Sequence, residues 1–96
     1  MIIAEVTITP LGEGASVSKY VKIALDVIKK SGCNYMLTPM STIIETSTID
    51  ELFSMVSKAE RAVLDAGAQR VVIDIKVDHR TDKDAKMQSK INAVIK

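Results

Sequence analysis

The sequence predicts an α+β domain in which helices cover a four-stranded antiparallel sheet. Between Arg70 and Arg80, apolar residues alternate with Asp74, Lys76 and Asp78, so a strand there has one apolar and one charged face. Apolar residues at helical spacing follow the first and third strand-like segments. Strand, helix and strand therefore occur twice in succession, before one last helical segment.

The first half of the chain contains a strand, a helix and a second strand. Residues 2–9 alternate between apolar and polar side chains, which predicts a strand. The helix is expected to begin near Ser16 or Ser18, since either hydroxyl can cap its free amides, and to end at Lys30. Gly32 then suits the left-handed residue that follows a helix. A short strand over residues 35–38 completes this half.

The second half repeats the layout without a convincing sequence repeat. Residues 41–46 form the third predicted strand, after a turn at Pro39 and Met40. Thr48 and Glu51 fit a capping box, in which the two side chains bond to backbone amides of the first helical turn. The helix that follows is expected to end at Gly67.

Two split strand–helix–strand halves close most simply as a ferredoxin-like βαββαβ sandwich. Its first and third strands are central, and its two helices lie on one face. After Thr81, Met87, Ile91 and Val94 share one side of an extra C-terminal helix. Residues 1–96 are read as a single domain because no linker or low-complexity tract divides them.

The sheet face away from those two helices mixes β-branched residues with opposite charges. It is expected to carry the following residues of the first and fourth strands: Ile3, Glu5, Thr7, Thr9, Val72, Asp74, Lys76 and Asp78. In the third strand, either Ile43 and Glu45 or Thr42, Ile44 and Thr46 face the same way. A solvated face is one interpretation. A homo-oligomer formed by sheet-on-sheet or edge-strand contact is the favoured one.

Composition excludes several classes of function. A net charge of +1 gives no electrostatic basis for binding nucleic acid or an acidic membrane. Cys33 is the single cysteine and His79 the single histidine, so neither a disulfide nor a zinc or histidine-rich metal site is expected. No apolar run approaches the ~20 residues that span a bilayer. We expect a cytoplasmic protein without catalytic machinery or cofactor.

Three segments, in this order, resemble the MTH1187/YkoF-like thiamine-binding family over essentially the whole chain. They are the Pro10 loop with Ser16-Val-Ser18-Lys-Tyr20-Val21, the stretch Tyr35-Met-Leu-Thr-Pro39-Met40-Ser-Thr42-Ile-Ile-Glu45, and Arg70-Val71 with Lys76-Val-Asp78-His-Arg80. The resemblance implies a ferredoxin-like fold with an extra C-terminal helix. It also implies a homotetramer, a dimer of dimers joined by sheet contacts, that binds thiamine or a related hydroxymethylpyrimidine compound. Ser41 stands where the family pattern has a glycine.

The resemblance suggests a ligand site. A carboxylate can accept from the exocyclic amine of thiamine and balance its thiazolium cation, and Glu45 is the first candidate for this role. Thr42 and Ser16 or Ser18 would supply hydroxyls, and Tyr20 a ring face for the cation. Each also has a structural interpretation, as an interface ion-pair partner, strand residue, helix cap or core residue respectively.

Four charged residues of the last strand are interface or anion candidates: Arg70, Lys76, Asp78 and Arg80. They are interpreted mainly as interface and strand-end anchors, although Arg80 could hold a phosphate. The leading hypothesis is therefore a protein that binds a thiamine-like small molecule without turnover, as a homo-oligomer. The alternative is a structural or regulatory homo-oligomer that has no small-molecule ligand.

Overall fold

The computed structural model describes residues 1–12 and 17–95. The elements in chain order are β1 (Ile2–Pro10), α1 (Val17–Lys30), β2 (Asn34–Leu37), β3 (Thr42–Thr46), α2 (Ile49–Asp65), β4 (Val71–His79) and α3 (Met87–Ile95). The strands form one antiparallel sheet in the order β2-β3-β1-β4. This confirms the predicted ferredoxin-like α+β fold, its central first and third strands and its extra C-terminal helix. Within the described ranges, no helix is long and apolar enough to cross a bilayer.

Local sequence signals set the ends of the helices. At the start of α2, Thr48 Oγ1 accepts a hydrogen bond of 3.1 Å from the Glu51 amide. The Glu51 carboxylate accepts from the Ser47 amide at 3.3 Å, one residue before the position that a capping box uses. Gly32 and Gly67 have φ values of 79° and 117°, in the left-handed region that glycine enters without a Cβ clash. The expected helix boundaries therefore follow from the residues themselves.

The core lies between the sheet and the first two helices. The inner face of β1 is formed by Ile2, Ala4, Val6 and Ile8, all buried. Residues of α1 and α2, including Ala24, Ile28, Leu52, Ala59 and Val63, pack against that face. The corresponding row on β4 is Val71, Ile73, Ile75 and Val77, which are only half-buried. The predicted facing of β1 and β4 is confirmed.

The register of β3 settles which of its residues face away from α1 and α2. Glu45 lies opposite Ile3 and Ile43 lies opposite Glu5, so both point to the outer face of the sheet. Ile44 lies opposite Ala4 and is fully buried on the inner face, with Thr42 and Thr46 on the same side. Of the two alternatives, Ile43 and Glu45 are therefore the outward pair.

Helix α3 lies over one end of the outer face. Glu45 Oε1 accepts a hydrogen bond from the Met87 amide, at the first residue of α3. One helical turn later, Lys90 Nζ forms an ion pair of 2.5 Å with Asp78 Oδ2 on β4. The expectation of helices on one face only is wrong at this end, because a side chain on β3 and another on β4 hold α3 against the sheet. The rest of the outer face stays open.

Acidification is expected to weaken this attachment. The hydrogen bond from Lys90, and then its charge, hold the pKa of Asp78 below its ordinary value. Because the folded-state pKa is depressed, the contact stabilises the folded state above the ordinary pKa and loses that effect as the pH falls through the depressed one. We expect amide-exchange protection of α3 to drop below about pH 4. In a Lys90→Met control, the loss of α3 protection that comes from protonation of Asp78 should be absent. If this variant kept the pH profile of the unaltered protein, the ion pair would not be what stabilises α3.

Candidate functional site

Two depressions lie at opposite ends of β3. The first, called here the hairpin cavity, has a volume of about 200 Å³ and lies between α1 and the hairpin of β2 and β3. The second, the α2 groove, has a volume of about 980 Å³ and lies beside the C-terminus of α1 and the first half of α2. The two differ in chemistry. The hairpin cavity is mainly apolar, whereas the α2 groove carries charges of both signs.

The walls of the hairpin cavity are apolar. Val6, Ile8, Ala24 and Ile28 belong to the buried core and also line it. At the rim Leu37 is exposed and Met40 is 85% exposed. An apolar recess with exposed apolar side chains at its mouth suits the faces of a flat aromatic ring, since both walls and rim lose contact with water when the ring enters.

Two of the hydroxyls that line the cavity belong to the turn between β2 and β3 and already have partners. Thr38 Oγ1 accepts from the Met40 and Ser41 amides at 3.2 and 3.0 Å, and donates to the Ser41 carbonyl at 2.9 Å. Ser41 Oγ donates to Glu5 Oε2 at 2.9 Å, toward the outer face of the sheet. The Ser41 side chain, at the position where the resemblance leads us to expect a glycine, is thus held by Glu5.

Thr42 is different. Its side chain is half-buried on the inner face and lines the hairpin cavity, and its hydroxyl forms no hydrogen bond to the described residues. A hydroxyl supplies one donor and two acceptor positions, so Thr42 can bond to a ligand that enters. Among the inner-face residues that line this cavity, Thr42 is the polar side chain without a partner in the described part of the chain.

Glu45, the first candidate, is not in the hairpin cavity. It is 5% exposed and lines the α2 groove from the outer face. Both of its carboxylate oxygens have partners, because Oε2 accepts from Asn34 Nδ2 at 3.0 Å and Oε1 accepts from the Met87 amide. Glu45 and Thr42 are three residues apart on one strand and therefore face opposite ways. The structure does not bring them together.

The other candidates from α1 are also separated. Ser18 is exposed in the first turn of α1, while Ser16 lies outside the described residues. Tyr20 is buried in the core, and Lys19 Nζ lies 5.3 Å from the centroid of its ring. The ring of Tyr20 therefore already has a cation of the same chain, the Lys19 ammonium group, beside it.

The charged candidates at the end of β4 have partners within the chain. Arg80 binds Asp82 with two hydrogen bonds, from Nε at 2.6 Å and Nη2 at 3.0 Å, and this holds the pKa of Asp82 below its ordinary value. Asp78 pairs with Lys90, while Lys76 and Arg70 are exposed. Across residues 1–12 and 17–95, no group of three or more histidine, cysteine or acidic side chains is placed to hold a metal ion.

The α2 groove brings together Cys33 and Met55, a contact that the sequence did not indicate. Cys33 Sγ lies 3.7 Å from Met55 Sδ and 3.8 Å from the Ile28 carbonyl oxygen, so the thiol is packed among its neighbours. Lys30 and Asp50 are among the charged residues of the groove. Opposite charges and an open shape make this a solvated groove rather than a shaped pocket.

Fold and cavity together define a small ferredoxin-like domain with a preformed apolar recess beside its first helix. The sequence profile described as thiamine-binding protein matches residues 4–95, and the chain belongs to that family.

Relatives from archaea and bacteria align with this chain over nearly its full length. A UPF0045 protein of Methanothermobacter thermautotrophicus is 40% identical over 95 residues, which cover 98% of this chain and 96% of the relative. The crystal structure of MJ1052 from Methanocaldococcus jannaschii is 41% identical, with a TM-score of 0.89 over 97% of this chain and 94% of that one. A Bacillus cereus domain described as DUF77 is 27% identical, with a TM-score of 0.87 over 97% and 88% of the two chains.

Proposed function

We propose that this protein binds thiamine or a related hydroxymethylpyrimidine compound in the hairpin cavity, without turnover. The observation that carries the proposal is the apolar cavity of about 200 Å³ with the uncommitted hydroxyl of Thr42, in a chain that belongs to the thiamine-binding protein family. The cavity is smaller than the roughly 300–1,000 Å³ of drug-sized sites, which suits one aminopyrimidine ring rather than a whole coenzyme.

The chemistry of the ring matches the walls. An aminopyrimidine has two apolar faces and an edge with both donors and acceptors, and Thr42 can bond to that edge either way. The faces of the ring would contact Ile8 and Ile28, and Met40 at the rim would fold over the ligand. Burial of apolar surface contributes roughly 25 cal/mol per Å², so closure of an exposed rim favours binding. The cationic thiazolium half would remain at the mouth, where water screens its charge.

Glu45 has a different role in this proposal. Both of its carboxylate oxygens bond to groups of the chain itself, so we assign Glu45 to holding α3 and not to the ligand. Tyr20 is likewise assigned to the core. The site that we propose is formed by α1 and the β2–β3 hairpin.

A homotetramer in the cytoplasm is part of the same proposal. The open part of the outer face carries Ile43 and Val72 among its charged residues, and α3 exposes apolar side chains. These surfaces favour contact with further copies of the chain. They also favour the second candidate function, a structural or regulatory oligomer without a small-molecule ligand.

Titration calorimetry with thiamine and with hydroxymethylpyrimidine tests the proposal. Thr42→Val keeps the shape of the side chain and removes the hydroxyl, so we expect the affinity to fall by about two- to tenfold, the effect of one neutral hydrogen bond. The matched control is Thr46→Val on the same strand, which removes a hydroxyl that donates to the Thr48 carbonyl at 3.0 Å beside the α2 groove. Its affinity should equal that of the unaltered protein.

Two results would count against this assignment. Equal losses of affinity in Thr42→Val and Thr46→Val would rule out the hairpin cavity as the site. No heat with either compound up to millimolar concentration would favour the oligomer without ligand.

A further inference from the structure

Strand β1 runs past the end of β3 on one side of the sheet. Its ladder with β4 continues to Pro10, whereas its ladder with β3 ends at Val6, opposite Thr42. Beyond Val6, β1 therefore has a neighbouring strand on one side only. The hairpin cavity lies at this place, since residues 7–9 line it together with the turn at residues 38–41.

Backbone hydrogen bonds show which way the groups of each β1 residue point. The Leu11 amide donates to the Arg70 carbonyl oxygen at 2.9 Å, and these two residues continue the register of β1 with β4. In an antiparallel pair, hydrogen-bonded residues alternate with non-hydrogen-bonded ones. Odd-numbered residues of β1 therefore direct their backbone N–H and C=O groups to β4. Even-numbered residues, including Ile8, direct theirs to the side of β3.

Two other features agree with this alternation. Pro10 has no N–H group, yet β1 stays paired with β4 at this position, because an even-numbered residue contributes no donor to that ladder. In the turn between β2 and β3, the Thr38 amide donates to the Ser41 carbonyl oxygen at 2.8 Å, in the register of β2 with β3. Odd-numbered residues of β3 therefore bond to β2, and even-numbered ones bond to β1.

Ile8 is left with two backbone groups directed toward the cavity. It is 9% exposed, and neither its N–H nor its C=O group has a hydrogen-bond partner among residues 1–12 and 17–95. More than about 90% of buried backbone groups in folded proteins are paired. A buried donor and a buried acceptor on one residue, both unpaired within the described chain, therefore indicate a binding partner from outside it.

We propose that the backbone N–H and C=O groups of Ile8 bind the amidine edge of an aminopyrimidine, which is a ring nitrogen and the adjacent exocyclic amine. The inference rests on the proposed function and deepens it by naming the ligand class, rings with an acceptor next to an amino donor. The Ile8 N–H group donates to the ring nitrogen, and the Ile8 C=O group accepts from the amine. The ligand thus takes the two bonds that a further residue of β3 would take in a longer ladder.

Two fixed backbone groups distinguish a 4-amino ring from a 4-oxo ring. In the oxo form the ring nitrogen carries a proton and the oxygen is an acceptor, so donor faces donor and acceptor faces acceptor. Turning the ring over restores the bonds but moves the C5 substituent to the other end of the edge. The Thr42 hydroxyl can rotate to donate or to accept, so it does not distinguish the two rings. Specificity for the amino form therefore resides in the backbone of β1.

Amide hydrogen exchange tests this assignment in the unaltered protein. Without ligand, the Ile8 amide should exchange on the order of a hundredfold faster than the Val6 amide, which bonds to Thr42 in the ladder. Hydroxymethylpyrimidine at about one hundred times its dissociation constant should then slow exchange at Ile8 about a hundredfold. An Ile8 amide as slow as that of Val6 without ligand would overturn the inference. So would an Ile8 amide that a compound with measurable binding heat leaves unchanged.

Calorimetry with the 4-oxo analogue of hydroxymethylpyrimidine tests the specificity. We expect the analogue to bind about ten- to a hundredfold more weakly than the 4-amino compound, the effect of two opposed hydrogen bonds. In the control variant Thr42→Val, both compounds should lose affinity while the ratio between them stays the same. Equal affinities for the two compounds, or a ratio that disappears in Thr42→Val, would overturn the role of Ile8. No heat with the 4-amino compound would instead end the proposed function, and this inference with it.

Discussion

Glu45→Ala is expected to release α3 from the sheet and to lower the free energy of unfolding by about 2–4 kcal/mol. The Glu45 carboxylate is buried and accepts from Asn34 Nδ2 and from the Met87 amide. Hydrogen bonds to charged groups contribute about 1.5–3 kcal/mol each, and a buried donor left without a partner adds a desolvation cost. The carboxylate also lies at the N-terminus of α3, where a negative charge is favourable.

Urea unfolding followed by circular dichroism gives the free energy, and amide exchange locates the effect. The matched control is Glu5→Ala, which removes an exposed carboxylate from the same sheet face that bonds to Ser41 Oγ. It should cost less than about 1 kcal/mol. If α3 amides in Glu45→Ala kept the protection seen in the control, Glu45 would not be the anchor of α3.

Leu52→Ala is expected to cost about 2–5 kcal/mol of unfolding free energy. Leu52 is fully buried in the first turn of α2 and packs in the core between that helix and the sheet. Truncation removes the transfer free energy of the lost methyl groups and leaves a cavity that the surrounding β1 and α1 side chains fill only in part.

The control for this prediction is on the same helix. Leu64→Ala alters an exposed leucine of α2, so it changes helix propensity equally but opens no core cavity. Its cost should be below about 1 kcal/mol, with a similar denaturant slope in both variants. Similar urea midpoints for Leu52→Ala and Leu64→Ala would show that the side chain of Leu52 does not fill the core between α2 and the sheet.

The fold was accessible from sequence because its signals are local. Alternation in β1 and β4 determines which residues face the helices, and both predicted faces are confirmed. The cap at Thr48 and the glycine at position 67 fix the ends of α2, since their geometry depends on a few neighbouring residues. The facing of β3 stayed open because both of its faces mix apolar and polar residues, and only the register resolves it.

The position of α3 could not be predicted from its own residues. Met87, Ile91 and Val94 indicate a helix, but three apolar positions do not say which surface covers them. The anchors are the Glu45 carboxylate on β3, 42 residues before Met87, and the Asp78 carboxylate on β4, in the element that precedes α3. For the same reason the hydrogen bond from the Met87 amide to Glu45 could not be predicted, since the position of Glu45 on its strand gives no sign of it.

One of the residues that line the hairpin cavity was a candidate from the sequence. Thr42 was named from the family resemblance, and the structure places it in a cavity with a free hydroxyl. That cavity forms where the β2–β3 hairpin folds back against α1, so no spacing in the sequence encodes it. The assignment of Thr38 and Ser41 to the turn likewise depends on bonds that only the folded hairpin makes.

The ligand position is tested most directly by amide chemical-shift mapping during a thiamine titration. The hairpin-cavity assignment predicts that the largest shifts occur at Val21, Leu37 and Thr42, with the α2 groove residues Cys33 and Ser54 nearly unchanged. Shifts concentrated at Cys33 and Ser54 would place the ligand in the groove beside Glu45. No shifts at either site would contradict thiamine binding altogether.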